Sequence, residues 1–112
     1  IVVESPLDAA KLSSLGIWGG VATFGAIVSD EQIKLMKKAD KLIFAFDNPH
    51  IDPAGKKAFE DMLTRTRKYG LECWFFSYPS DAYKDIGDMP EDLIKYSIEG
   101  AKHSVFGEKA FA

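Results

Sequence analysis

The chain has 112 residues, 46% hydrophobic and 28% charged, and carries a net charge of −3, which suits one small domain with a modest core. No apolar stretch approaches the ~20 residues of a membrane span, no signal peptide opens the chain, and the negative balance gives no strong field for nucleic acid or acidic lipid. The single cysteine, Cys73, excludes an internal disulfide framework; a buried thiol in a reducing, cytoplasmic compartment is expected.

The opening "IVVES" is a core strand from its first residue, so the segment is expected to be a piece of a longer protein. "SPLDAAKLSSLG" is predicted to be a helix capped by Ser5, with Pro6 in its first turn, Leu7, Ala10 and Leu15 on its apolar face, and Gly16 at its end. "GGVATFGA" follows as a short strand running into a glycine turn. "SDEQIKLMKKAD" opens with Ser29 and Gln32 at the spacing of a capping box. "KLIFAF" is the clearest strand. The helix after it starts near Pro53, carries Ala58, Phe59, Met62, Leu63 and Thr66 at helical spacing, and stops at Gly70. "LECWFFSY" is a fourth strand and "PEDLIKYSIEGA" a last helix. The tail "KHSVFGEKAFA" has no period and is expected to be a surface segment or a lead into another domain. Strand and helix alternate, and the strands are continuous apolar runs. This predicts one α/β domain over residues 1–112, a four-stranded parallel sheet with helices on both faces.

In open parallel sheets, ligands bind where the carboxyl ends of the strands open into loops. Glu4 ends the first strand and Asp8 lies one helical turn later; Asp47 ends the third, with Asp52 at the mouth of the next helix; Asp85 and Asp88 follow the fourth. All six acids are therefore expected at one edge. Helix capping offers an alternative account of Asp52 and Asp88, and the helix dipole one of Asp8. Glu4, Asp47 and Asp85 have no such alternative. Crowded carboxylates need a cation among them, and Lys56, Lys57 and Lys84 are the local candidates in sequence. Hard divalent cations such as Mg²⁺ take oxygen ligands, and two of them ~4 Å apart clamp a reacting phosphodiester. His50 is expected to be an exposed loop residue, Trp74-Phe75-Phe76 core, and "KLMKK" and "RTRK" solvated helix faces.

These residues resemble a family. "VVESPLDAAKLSSLGI" is similar to the first motif of Toprim domains, the module shared by bacterial-type primases, type IA and II topoisomerases and certain nucleases; its two acids are here Glu4 and Asp8. "VATFGA" resembles the glycine turn, with Gly25 at its place, and "KDIGDM" the Lys-Asp segment after the fourth strand. "FDNPHIDPAGKKA" resembles Asp-x-Asp-x-Ala-Gly with a departure: four residues, Asn48 to Ile51, separate Asp47 from Asp52 where one is usual. Asp52 is then the second aspartate behind a three-residue insertion, which is the preferred alignment, or Asp47 alone binds metal and Asp52 only caps the helix.

The primase pattern is the nearest among these, in bacterial or phage-type DNA primases, with a host-cytoplasmic location if the gene is a phage's. The resemblance implies Mg²⁺- or Mn²⁺-dependent nucleotidyl transfer, making RNA primers on a DNA template as a DNA-directed RNA polymerase. It implies Glu4 as a metal ligand or proton-transfer residue, Asp47 and Asp52 as ligands, and Asp85 as ligand of a second ion; Glu4, Asp47 and Asp85 are the expected catalytic residues. Asp8 and Asp88 complete the expected metal set. Single-stranded DNA template and ribonucleotides are the implied partners, with a replicative helicase as a further candidate and no membrane. A separate basic subdomain before Ile1 would hold template and nucleotide. An OLD-type nuclease, a topoisomerase and a non-catalytic binding module stay open as alternatives.

Overall fold

The computed structural model describes residues 1–25 and 28–111. Ala26, at the end of the predicted glycine turn, and the terminal Ala112 lie outside them. In chain order the elements are β1 (Val2–Val3), α1 (Pro6–Ser14), β2 (Val21–Ala22), α2 (Asp30–Met36), β3 (Ile43–Phe44), α3 (Pro53–Lys68), β4 (Trp74–Phe75), α4 (Glu91–Glu99) and β5 (Lys102–His103). A 3₁₀ turn at Ile86–Asp88 precedes α4, and the stretch Ser104–Ala110 holds two short 3₁₀ pieces broken by a kink at Gly107 (φ 63°, ψ −142°).

The strands form one sheet in the order β2-β1-β3-β4-β5. β1 through β4 are parallel, as expected, and β5 joins antiparallel to β4, with Trp74 opposite His103. This fifth strand corrects the expectation of four. Two paired residues are too few to show a period, so the tail gave no sign of it. Nor is the tail wholly a surface segment: Val105 and Phe106 are exposed, but its end returns to the core. Phe111 is buried, and its ring centroid lies 5.2 Å from those of both Phe59 and Phe75.

Neighbouring strand residues serve opposite faces, as the pleat requires. Val2, Leu42, Phe44, Phe46, Cys73 and Phe75 pack with the apolar sides of α2 and α3. Val3, Ile43, Ala45 and Phe76 pack on the other face with Leu12 of α1 and Ile94 of α4. Each fully buried aromatic or aliphatic side chain contributes about 1.5–3 kcal/mol, so both faces must be covered, and both are. Phe75 and Phe76 are core, as expected; Trp74 is half-buried, with the Lys41 ammonium 4.7 Å from its ring centroid.

The helix ends follow their sequence signals. Ser29 and Gln32 form the reciprocal capping box, at 3.1 and 2.8 Å, and Ser5 caps α1 through Leu7 N–H. The buried face of α1 differs from the predicted one. Leu7 is 80% exposed and Ala10 is exposed, while Asp8 and Leu12 are buried. An acid has displaced an aliphatic from the inner stripe.

Candidate metal centre

β1 has β2 on one side and β3 on the other, so the chain reverses its direction of winding between them. Such a switch point leaves a crevice beyond the carboxyl ends of the two strands, where α/β sheets bind ligands. Glu4 and Asp47 sit at these two ends, and the Asp47 N–H donates to Glu4 Oε1 at 3.3 Å. Asp8 faces the same crevice from the first turn of α1, and Asp85 comes from the loop after β4. One carboxylate oxygen from each of Asp8, Asp47 and Asp85 lies within 4.8 Å of the others.

Backbone approach makes this convergence workable. A Cβ on Gly55, in the first turn of α3, would lie 2.3 Å from the carbonyl oxygen of Asp47; only glycine lets α3 seat against the end of β3. A Cβ on Gly87 would lie 3.0 Å from the Oδ1 atoms of both Asp8 and Asp85, in the space the two carboxylates face. The Gly87 N–H donates to Asp8 Oδ1 at 3.0 Å. Below the site, the buried Tyr78 hydroxyl donates to Phe46 O at 2.8 Å and fixes the residue before Asp47.

The electrostatics are those of a site short of positive charge. Burial, then the nearby Glu4, Asp85 and Asp52, push the Asp47 carboxyl up to about 7. Burial and then Asp85 push Asp8 up to about 6, against the opposing Gly87 hydrogen bond. Glu4 is also raised, chiefly by burial and against the Asp47 N–H. Of the expected cations, Lys56 is turned to Glu60 at 3.9 Å, while Lys84 lies close enough to favour the charged form of Glu4. Three hard oxygen donors, an uncompensated negative charge and a glycine-lined space between two of them fit a hard divalent cation. The described residues thus hold one candidate cation site, that of Asp8, Asp47 and Asp85.

The remaining acids divide differently from the expectation. Asp52 caps α3, accepting from Ala54 N–H at 3.0 Å, and its carboxyl also abuts that of Asp47, but it is outside the converging set of Asp8, Asp47 and Asp85. Asp85 does have a capping role, accepting from Asp88 N–H at 3.1 Å at the head of the 3₁₀ turn. Asp88 does not cap α4, whose N-cap is Pro90 without a side-chain bond; its carboxylate accepts from Lys84 N–H at 3.4 Å. Asp88 is exposed, as is His50.

Sequence reasoning gave no role to four residues that build the site. Gly55 and Gly87 admit the close approaches, and the Pro-Ala-Gly and Ile-Gly-Asp contexts were their only signal. Lys11, one helical turn after Asp8, donates from Nζ to Gly87 O at 2.8 Å and to Met89 O at 2.5 Å. Asn48 is wholly buried beside Asp47.

Comparisons with known proteins agree with this architecture. A family model described as Toprim-like matches residues 1–89. The DNA primase of Neisseria meningitidis is 41% identical over 59 residues, which is 52% of this chain and 10% of that protein. The DNA primase of Pseudomonas aeruginosa is 32% identical over 106 residues, 90% of this chain and 14% of that protein. The chain thus spans only 10–14% of the length of these curated relatives. The crystal structure of the zinc-binding and RNA polymerase domains of the Aquifex aeolicus primase superimposes with a TM-score of 0.74 at 23% identity, over 91% of this chain and 25% of that one; this likeness is one of fold. With its sheet order, its clustered acids and a family match over residues 1–89, the chain belongs to the Toprim-like family.

Proposed function

We propose that this domain is the metal-binding catalytic part of a DNA primase, acting within a longer protein in Mg²⁺- or Mn²⁺-dependent nucleotidyl transfer. The observation that carries the proposal is the convergence of Asp8, Asp47 and Asp85 at the switch point, with Glu4 bonded to the Asp47 amide. The similarity to two bacterial DNA primases supports it.

A divalent cation held by these aspartates would neutralise charge on a reacting phosphate. The chain's own residues do the rest. Asp47 follows β3, Asp8 lies in the first turn of α1, and Asp85 comes from a loop held by the Asp8–Gly87 bond, so the three oxygens are pre-placed. Glu4, its carboxyl raised by burial, is suited to take the proton of an attacking hydroxyl. A second ion, as in two-metal phosphoryl chemistry, would draw on Asp85 with Asp52 or Asp88 at the margin of the first.

The net charge of −3 offers little grip on a polyanion, and DNA binding draws on many Lys and Arg contacts. Template, ribonucleotides and any helicase are accordingly partners of the longer protein, held by basic surface outside this segment. The test pairs primer synthesis with DNA binding in the full-length protein. Glu4→Gln and Asp47→Asn should abolish synthesis and leave DNA affinity nearly unchanged, while the 112-residue segment makes no primers alone. Wild-type synthesis by Asp47→Asn would overturn the proposal.

A further inference from the structure

The three-residue insertion that sets this chain apart from the usual second motif begins at a side chain with no chemistry of its own. Asn48 is 0% exposed. Its amide nitrogen donates to Ser80 O at 3.2 Å and to Tyr83 O at 2.8 Å, and its amide oxygen accepts from His50 N–H at 3.0 Å. Its backbone N–H donates to Lys84 O at 2.6 Å, and its carbonyl accepts from Ile51 and Asp52 N–H. A buried amide with both donors satisfied is costly to disturb, because removing it leaves Tyr83 O without this partner and Ser80 O with only the long 3.5 Å bond from Tyr83 N–H.

The partners of these bonds lie in two loops. On one side stand Asp47, directly before Asn48, and Asp52, whose N–H the Asn48 carbonyl accepts. On the other stands the segment 80–84, which has no strand or helix of its own and leads straight into Asp85. From the opposite flank, Lys11 and Asp8 hold Gly87 and Met89. Asn48 is thus the link between the loop of Asp47 and the residues before Asp85.

We infer that Asn48 is a positioning residue that fixes the distance between Asp47 and Asp85, latching the inserted turn onto the loop after β4 so that the two carboxylates face one cation. The inference rests on the metal reading of the site for its consequence and on hydrogen bonding alone for the latch. The insertion therefore does not loosen the motif. Its turn, closed by Ile51 and Asp52 N–H on Asn48 O, shapes the loop that carries the latch and delivers Asp52 to the head of α3.

The test uses the 112-residue chain with Mn²⁺ as the probe, counting free Mn²⁺ by electron paramagnetic resonance well below each variant's melting temperature. Amide hydrogen exchange at residues 84–88 is read in parallel. Asn48→Ala removes both side-chain donors; Asn48→Ser keeps an acceptor for His50 N–H but has one donor in place of two. Met62→Ala, a core truncation under α3, controls for lost stability. Partners that orient metal ligands typically matter ~10–100-fold in affinity, so both Asn48 variants should weaken Mn²⁺ at least about tenfold and speed exchange at 84–88. Met62→Ala should retain wild-type affinity while folded. If Asn48→Ala does not fold, Asn48→Ser decides by the same readouts. Wild-type Mn²⁺ affinity in the folded Asn48 variant, or unchanged exchange at 84–88, overturns the inference. If the wild-type chain takes up no Mn²⁺ and Asn48→Ala still speeds exchange at 84–88, the latch stands and the metal reading fails.

Discussion

Asp8 and Gly87 are joined by a 3.0 Å hydrogen bond between residues 79 positions apart, from the glycine amide to the aspartate carboxylate. Through it the first helix holds the loop that presents Asp85, and the missing side chain of Gly87 leaves room between the two acids. A methyl group there would stand 3.0 Å from each Oδ1, so Gly87→Ala should push the carboxylates apart. Gly87 is exposed and has an ordinary backbone conformation, so the fold should survive. The expected outcome is a loss of Mn²⁺ affinity of about tenfold with a melting temperature near that of the wild type.

The raised carboxyls make stability depend on pH in an unusual direction. Asp47 and Asp8 move from 3.8 in the open chain to about 7 and about 6 in the fold. Between about pH 4 and 7 the folded state therefore binds more protons than the unfolded one, and stability falls as pH rises through that window. Without metal, the melting temperature should be higher at pH 5 than at pH 8. Mg²⁺ competes with those protons, so it should raise the melting temperature at pH 8 and have little effect at pH 5. Asp47→Asn should flatten the metal-free profile. Thermal melts across pH, with and without Mg²⁺, check all three.

Gly55→Ala addresses the seating of α3. Its Cβ would meet Asp47 O at 2.3 Å, a contact with backbone that no rotamer change relieves. Overpacking of this kind costs about 1–3 kcal/mol, and more where backbone must move. Denaturant unfolding should show at least that loss, with weaker metal binding by the folded fraction because Asp47 is displaced. An unchanged midpoint would contradict the close approach.

The parallel core was legible in the sequence because its strands are continuous apolar runs and its helices carry strong end signals, Ser29 with Gln32 and Asp52 with Pro53 among them. Glu4 and Asp47 could be placed because the strands they follow are easy to find, and Asp85 because it lies in the loop after the fourth. Two things were hidden. Lys102 and His103 make a strand only by pairing with Trp74 and Phe75, a non-local property that leaves no local period. The contacts that assemble the site, Lys11 to Gly87, Asn48 to Tyr83 and Gly55 to Asp47, span loops whose courses the sequence does not determine. Asp8 lay between these cases: its place in α1 was visible, but the amide that bonds its carboxylate, that of Gly87, is 79 positions away.

The most direct test of the metal centre is a Mn²⁺ titration of the 112-residue chain at pH 8, comparing the wild type with Asp47→Asn and Asp88→Asn. Carboxylates without substrate phosphates complete a coordination shell poorly, so binding should be weak. Asp47 lies in the converging set and Asp88 is exposed outside it. Wild type and Asp88→Asn should therefore bind with similar affinity, and Asp47→Asn at least about tenfold more weakly. No binding by the wild type, or equal losses from the two substitutions, would contradict a cation held by Asp8, Asp47 and Asp85.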